Sequence, residues 1–273
     1  MIEQLDIISQ NTQSTVVAEY ERPDREREAG YQSEAELERE FIAQLERQGY
    51  EYLPIHSEKE LIANLRKQLE RLNNIVFSDS EWQRFFKTEI AKESNGIKEK
   101  AFTIQRDYKK SFVREDGTQV NISLIDKKDV HHNITQVINQ YRNNQSSQSN
   151  LSNQSNLSNR SNRYDVTILV NGLPLVHIEL KRRGMLLKEA FSQINRYGRE
   201  SFWADNALFE YVQIFVISNG TETKYYSNTT RDNCVKEQHS KAKAGRLRTC
   251  NSYEFTSYWS DAKNHLLNDL EAF

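Results

Sequence analysis

The sequence predicts an α/β fold in which a mixed central β-sheet is flanked by helices. Apolar residues recur at helical spacing in residues 34–48 and 58–73. Residues 163–181 have the pattern of two apolar strands joined by a short turn at residues 171–174. A helical segment at 186–197 and an apolar strand pattern at 208–220 follow. Helices that alternate with buried strands in this order are typical of a sheet covered by helices.

The first helix carries start and stop signals in the sequence. Ser33 and Glu36 form a predicted capping box, in which Ser33 is the N-cap and Glu36 reaches back from N3. Gly49 is expected to end this helix, and a short strand is predicted at 50–55. A second helix is predicted over residues 58–73.

The spacing of apolar residues changes in the next part of the chain. Residues from Ser80 to Ile90 have helical spacing of large apolar side chains. Residues 101–126 are predicted to form strands instead, with a turn at Gly117 that links two of them.

Composition divides the chain into a polar N-terminal arm at 1–30, a domain at 31–228 and a C-terminal segment at 229–273. Tandem six-residue copies rich in Ser, Asn and Gln predict a flexible, low-complexity insertion at 143–162. The C-terminal segment is polar and basic before an amphipathic helix that is predicted to reach Phe273.

Charge and cysteine content limit the functional class. The chain has 273 residues and a net charge of −2, which excludes a protein that binds nucleic acid through an overall basic surface. Cys234 and Cys250 match no zinc-binding spacing, so we expect a reducing, cytosolic compartment. The sequence has no apolar run of membrane-spanning length, and its first residues lack a signal-peptide pattern.

The hairpin at 163–181 carries the residues with the clearest chemistry. Glu179 and Lys181 are two apart on one strand, so their side chains share a face, and the hairpin brings Asp165 opposite them. Two carboxylates and an ammonium group can hold a divalent cation and orient an attacking water. The alternative is a solvated face of a half-buried hairpin, but the apolar flanks predict that both strands are buried, where charged groups are costly.

The helix after this hairpin carries a second pair. Gln193 and Tyr197 are four apart and therefore lie on one helical face. We expect them to contact phosphate or to position the edge of the sheet.

These motifs together resemble a known family. The resemblance rests on residues 102–107, 121–126, 163–169, 173–181 and 258–261, which are similar to the N-terminal region of type I restriction enzyme R subunits. The hairpin resembles the Asp…Glu-x-Lys motif of the restriction-endonuclease-like nucleases, and the Gln-xxx-Tyr pair resembles that of their RecB-like branch. The resemblance implies a restriction-endonuclease-like core, with residues 31–228 as the nuclease domain.

The implied reaction is metal-assisted hydrolysis of DNA phosphodiester bonds. Asp165, Glu179 and the backbone carbonyl of Leu180 would hold Mg²⁺, and Lys181 would orient the attacking water or stabilise the developing charge. Glu36 or Glu34 on the first helix is a candidate for the additional acidic group that many RecB-like nucleases supply there. For Glu36, a purely capping role is the alternative.

Other residues near the hairpin are accessory candidates. His177 shares the face of Glu179, so it is expected near the metal. Arg182 and Arg183 follow Lys181 and could bind DNA phosphates, or could form a solvated basic turn. His131 and His132 suggest a metal site, but neighbouring strand residues point to opposite faces, which favours loop histidines.

The resemblance also implies partners. They are double-stranded DNA, the modification (methyltransferase) and specificity subunits, and a helicase-like motor that binds ATP; no membrane is implied. The sequence contains no Gly-x-x-x-x-Gly-Lys-Ser/Thr phosphate loop, so ATP binding is assigned only to the motor, which should begin where this chain ends. The competing hypothesis is a non-catalytic docking module for assembly of a restriction complex.

Overall fold

The fold is known here from a computed structural model. It describes residues 6–9, 17–19, 32–143, 162–200, 202, 206–233, 236, 252–260, 266–267 and 270. Cys234, Cys250 and most of the low-complexity segment lie outside the described residues.

The regular elements follow one another in chain order. The helices are α1 (Glu34–Arg47), α2 (Glu58–Asn73), α3 (Asp79–Phe85), α4 (Ile97–Gln105) and α5 (Leu187–Glu200). The strands are β1 (Asp6–Ser9), β2 (Val17–Glu19), β3 (Glu51–Tyr52), β4 (Lys109–Val113), β5 (Gln119–Ser123), β6 (Thr135–Asn143), β7 (Asn162–Val170), β8 (Leu173–Leu180), β9 (Ile214–Ser218), β10 (Thr223–Ser227), β11 (Ser257–Ser260) and β12 (Leu266–Leu267). A π-helical turn, Phe86–Ile90, extends α3.

A mixed sheet forms the centre of the molecule, as the sequence predicts. Across the described residues its eight strands have the order β12-β11-β10-β9-β8-β7-β6-β3. The pairs β3–β6 and β8–β9 are parallel and the others are antiparallel. Strands β1–β2 and β4–β5 form two separate antiparallel hairpins.

Helices cover both faces of the sheet. On one face α1 packs Leu37, Phe41 and Ile42 against side chains such as Val166 and Ile178 of the central strands. The larger core on the other face combines α2, α3, α4, α5 and the β4–β5 hairpin. This two-sided covering explains why the central strands are almost continuously apolar. No helix in the described part of the chain is both long and apolar enough to span a membrane.

Capping boxes fix the starts of the first three helices. Ser33, Ser57 and Ser78 each accept a hydrogen bond from the N3 backbone N–H, and the N3 glutamate accepts one from the N-cap backbone. The predicted box at Ser33 and the predicted bounds of α1 and α2 are thus confirmed.

The β7–β8 hairpin has a two-residue turn. Asn171 and Gly172 have φ of 51° and 83°, the left-handed conformations that a type I′ turn requires. The predicted turn is therefore confirmed, although Leu173 and Pro174 already belong to β8. Gly172 lies directly against α2.

Several predicted elements were wrong. Residues 101–105 belong to helix α4 rather than to a strand, because Ala101 and Ile104 are buried at helical spacing. Residues 208–211 form a 3₁₀ turn before β9 instead of extending that strand. Leu266 and Leu267 form the short strand β12 where a helix was predicted.

The sheet also continues beyond residue 228. Strand β11 pairs with β10, and Leu270 packs into the core beside α1. The side chain of Arg231 is 1% exposed inside the domain. At the other end of the chain, β1 and β2 lie within the segment predicted as a polar arm.

Strands β6 and β7 flank the low-complexity segment. They pair up to Asn143 and Asn162, so the intervening residues connect two neighbouring antiparallel strands. The predicted flexibility of this insertion concerns residues outside those described.

The ion pair between Glu81 and the half-buried Arg114 gives a pH-dependent stability prediction. Glu81 on α3 is 3% exposed and accepts hydrogen bonds from Arg114 Nε at 3.1 Å and Nη2 at 3.2 Å. These bonds and the backbone N–H groups of Ser78 and Glu115 lower the pKa of Glu81 to about 2. Glu81→Gln keeps a capping residue but removes the charge.

The variant should be less stable than the parent chain near neutral pH. Because the folded-state pKa of Glu81 is depressed, its stabilisation is present above the ordinary value of 4.5 and is lost as the pH falls toward 2. Urea unfolding from pH 7 to pH 2 should therefore show a difference in unfolding free energy that shrinks below about pH 4.5. A difference that stays constant over this range would contradict the assignment.

Candidate active site

Three charged side chains converge where β8 ends. Asp165 lies in β7 and Glu179 in β8, on neighbouring antiparallel strands, and Lys181 directly follows β8. Lys181 Nζ donates a hydrogen bond to Glu179 Oε1 at 3.3 Å. The structure therefore brings together the three side chains that the sequence predicted to form a site.

The backbone of Leu180 links these side chains. Its N–H donates to Asp165 Oδ2 at 2.9 Å, and its carbonyl accepts from Lys181 Nζ at 2.9 Å. The carbonyl predicted as a metal ligand is thus at the site, within reach of the lysine.

Burial makes this group electrostatically costly. Glu179 is fully buried, and removal from water raises its pKa to about 8, although Lys181 acts in the opposite direction. Removal from water also raises the pKa of Asp165 to about 8, and the Glu179 carboxylate adds to that shift. One lysine does not balance two carboxylates and the nearby Glu34, so a further cation would stabilise their charged forms.

His177 lies beneath this group on the same face. Its Nε2 is 3.5 Å from Glu179 Oε2, and the ring packs among aromatic side chains including Tyr164 and Phe202. Burial lowers the pKa of His177 to about 4; the Asp165 carboxylate opposes this shift and Arg231 reinforces it. The imidazole is therefore neutral at physiological pH.

Arg231 was not recognised from the sequence. It forms a buried ion pair with Glu210, with two N–O distances of 2.8 Å, behind the aromatic side chains around His177. It lies in a polar, basic stretch that sequence composition assigned to the C-terminal segment, and no local pattern distinguishes it from its neighbours.

Gln193 and Tyr197 bond to each other and reach the site. Gln193 Nε2 donates to the Tyr197 hydroxyl, which donates to the Arg163 carbonyl at 2.8 Å. The same hydroxyl lies 3.5 Å from Glu179 Oε1. Tyr197 thus links the backbone of β7 to Glu179, and its role in positioning the sheet edge stays a prediction.

Helix α1 brings Glu34, rather than Glu36, to the site. Glu34 Oε1 lies 3.9 Å from Lys181 Nζ and accepts a hydrogen bond from the Arg182 backbone N–H at 3.3 Å. The Glu36 carboxylate instead accepts hydrogen bonds from the Ser33 backbone N–H and hydroxyl, both at 2.9 Å. Glu36 therefore has the capping role that was its alternative, because α1 turns it away from β8.

The basic turn and the histidine pair occupy different surroundings. Arg182 and Arg183 are exposed beside the N-terminus of α1, next to the catalytic candidates. His131 and His132 lie in an exposed 3₁₀ turn, where His132 Nδ1 is 3.2 Å from Asp126. The two histidines therefore lie in a loop, as the sequence analysis favoured.

The donor set suits a divalent cation that prefers oxygen ligands. Within the described residues, Glu179 Oε2 and His177 Nε2 are buried without a hydrogen-bond partner. In the same residues no three His, Cys, Asp or Glu side chains group as metal ligands. Two carboxylates with a carbonyl fit Mg²⁺, because this ion commonly uses one or two carboxylates and keeps several waters.

The fold and this site define a class. A mixed sheet flanked by helices, with Asp165 and Glu179 on neighbouring strands and Lys181 beside them, is consistent with a restriction-endonuclease-like core. Residues 31–234 match the family described as type I restriction enzyme R protein N terminus. The chain belongs to this family.

Individual relatives agree with this assignment. The chain is 44% identical over 259 residues to the type I restriction enzyme EcoprrI endonuclease subunit of Escherichia coli, covering 94% of this chain and 74% of that protein. It is 37% identical over 248 residues to the SauMSSORF170P endonuclease subunit of Staphylococcus aureus strain MSSA476, covering 89% and 22%. The chain thus spans about a fifth of the staphylococcal relative.

Proposed function

We propose that this chain is the Mg²⁺-dependent endonuclease domain of a type I restriction enzyme R protein and cleaves double-stranded DNA. The observation that supports this most is the convergence of Asp165, Glu179 and Lys181 in a chain of this family. A cation bound there would polarise the scissile phosphate and lower the pKa of a bound water.

The side chains have distinct roles in this proposal. Asp165, Glu179 and the carbonyl of Leu180 hold the cation. The Lys181 ammonium orients the attacking water, or stabilises the negative charge that develops on the phosphate. His177 supports Glu179 from below, and Arg182 and Arg183 contact the DNA backbone at the mouth of the site.

The names of the relatives support action within a larger restriction enzyme. In this proposal the chain works with modification and specificity subunits, and an ATP-driven motor delivers DNA to the site. The sequence has no phosphate loop, so ATP turnover is assigned to the motor region of a longer protein. The direct test compares plasmid cleavage by the assembled enzyme carrying the parent sequence or Glu179→Gln. Equal cleavage by both would contradict the proposal.

Loss of the Tyr197 hydroxyl should reduce cleavage without unfolding the domain. Tyr197 is buried, so Tyr197→Phe keeps the packing of the ring and removes the hydroxyl, with its bonds to Gln193 and the Arg163 carbonyl and its contact with Glu179 Oε1. We expect DNA cleavage to fall by about 10–100-fold, as is usual when a group that orients a metal ligand is lost. Gln193→Ala should act in the same direction.

Thermal unfolding separates this role from simple packing. The melting temperature of Tyr197→Phe should stay close to that of the parent chain, since the ring remains in place. A large fall in melting temperature with unchanged cleavage would make the pair structural.

The 273-residue chain alone should bind DNA weakly and cut it poorly. Its net charge is −2, and in the part of the chain that the structure describes the exposed basic turn beside the site holds only Arg182 and Arg183, so we expect few phosphates to be neutralised. Non-specific affinity falls steeply with salt in proportion to the number of such contacts. Titrations of labelled duplex DNA at several salt concentrations measure this. The logarithm of the binding constant should fall only slowly with the logarithm of the salt concentration.

Incubation of the purified chain with plasmid and Mg²⁺ completes this test. Efficient cutting that disappears in Lys181→Met would support the site but refute the dependence on partner subunits.

A further inference from the structure

The pairing of β6 with β7 is interrupted at one position. The register runs without a shift from Thr135 opposite Val170 to Asn143 opposite Asn162, and within it Gln140 of β6 and one residue of β7 are unpaired. By this register Gln140 lies opposite Asp165. Gln140 also has a φ of 53°, which places its backbone in the left-handed region.

This conformation is unfavourable for a glutamine inside a strand. A residue with a Cβ atom prefers extended backbone there, so the surrounding structure must hold the left-handed conformation in place. Strained positions of this kind cluster at functional sites.

Glu38 on α1 provides the restraint. Its carboxylate accepts hydrogen bonds from Asn139 Nδ2 at 2.5 Å and from Gln140 Nε2. Glu38 is 8% exposed, and none of the ion pairs found among the described residues involves it. Among the described residues the hydrogen bonds to this buried carboxylate come from two amide groups, so Glu38 ties α1 to Asn139 and Gln140 of β6.

Helix α1 connects this restraint to the catalytic candidates. Glu34 and Glu38 are four apart and lie on one helical face. Glu34 reaches Lys181 and the Arg182 backbone, while Glu38 reaches β6 on the other side of Asp165. The two carboxylates therefore fix α1 across the strands that carry the site.

Asp165 lies outside the regular pairing on both of its sides. The β7–β8 pairs begin at Val166 opposite Ile178, so Asp165 is paired neither with β6 nor with β8. Its side chain instead accepts a hydrogen bond from the Leu180 N–H. The Asp165 carboxylate therefore bonds to the backbone of Leu180 at the same position where the β6–β7 ladder is interrupted.

We propose that Gln140 is a positioning residue for Asp165. Its left-handed backbone, restrained by Glu38, keeps the β6–β7 ladder open so that the Asp165 carboxylate turns toward Leu180 and Glu179 and can bind a divalent cation. This inference rests on the proposed nuclease function, and extends it to two residues outside the Asp–Glu–Lys group.

The test measures Mn²⁺ affinity of the 273-residue chain by isothermal titration calorimetry, with circular dichroism to check folding. Gln140→Val favours extended backbone, whereas Gln140→Gly accepts a positive φ without strain. We expect Gln140→Val to weaken Mn²⁺ binding by about tenfold or more, a usual effect of losing the support of a metal ligand, and Gln140→Gly to bind like the parent chain.

A double-mutant comparison excludes a purely structural role. Glu38→Leu should weaken Mn²⁺ binding by about tenfold in the parent chain, but should have little further effect beside Gln140→Gly, which needs no restraint. The comparison of Glu38→Leu alone and beside Gln140→Gly still tests the role of Gln140 if Gln140→Val does not fold.

Glu179→Gln separates this inference from the proposed function. If Glu179→Gln abolishes Mn²⁺ binding but Glu38→Leu and folded Gln140→Val bind like the parent chain, the role of Gln140 is overturned and the nuclease site stands. Absence of Mn²⁺ binding by the parent chain would count against the proposed function itself.

Discussion

Glu179→Gln in the assembled enzyme should abolish DNA cleavage while folding and ATP turnover remain intact. The variant keeps the shape of a fully buried side chain but removes the negative charge that would hold the cation. We expect a loss of about a thousandfold or more, because even one lost transition-state contact costs about 10²–10³-fold. The measurement is the initial rate of plasmid cleavage.

Asp165→Asn and Lys181→Met should produce losses of similar size. Hydrogen bonds connect the three side chains with Leu180. If they act as one unit, as we propose, a double variant should be no slower than the slowest single variant. Near-normal cleavage by any single variant would remove that residue from the active site.

The stability of Glu179→Gln supplies an independent readout. Burial disfavours the charged form of Glu179, and its Oε2 is buried without a hydrogen-bond partner among the described residues. Neutralising it should leave the melting temperature unchanged or raise it, since catalytic sites are commonly kept at a cost in stability.

Helix α1 offers a matched control for these variants. Glu36→Gln retains a residue that can complete the capping box at Ser33, so cleavage should be unaffected. Glu34→Gln removes the carboxylate 3.9 Å from Lys181 Nζ, and should reduce cleavage. Equal rates for these two variants would contradict the assignment of Glu34 to the site.

The sequence was most informative where local signals decide the structure. The capping box at Ser33, the helical period of α2 and the Asn171–Gly172 turn each depend on residues a few positions apart. The same locality placed Glu179 beside Lys181, and the hairpin brought Asp165 to them.

Structure that depends on distant contacts was less predictable. Strand β6 was not recognised because polar residues interrupt its apolar pattern, although Val137 and Ile138 are buried on opposite faces of the sheet. The choice between Glu34 and Glu36 depends on the rotation of α1 over β8, which only tertiary packing sets. The left-handed Gln140 has no local signal at all.

Gly172→Ala should cause a large loss of stability, because the hairpin that carries the site packs on α2 through this glycine. Gly172 has a φ of 83°, and a Cβ atom there would lie 2.6 Å from the Leu65 Cα atom. Leu65 is fully buried in the main core, so neither backbone segment can move away easily. We expect a loss of about 2–5 kcal/mol in unfolding free energy, combining left-handed strain with overpacking.

Gly117→Ala is the control that separates these two causes. Gly117 also has a φ of 83°, but a Cβ atom there would meet nothing within 4 Å. Its substitution should therefore cost only the strain of a left-handed alanine, about 1–2 kcal/mol. Urea unfolding of both variants measures the difference. Equal losses would show that α2 adjusts to the added methyl group, and that the close contact between Gly172 and Leu65 does not hold the hairpin in place.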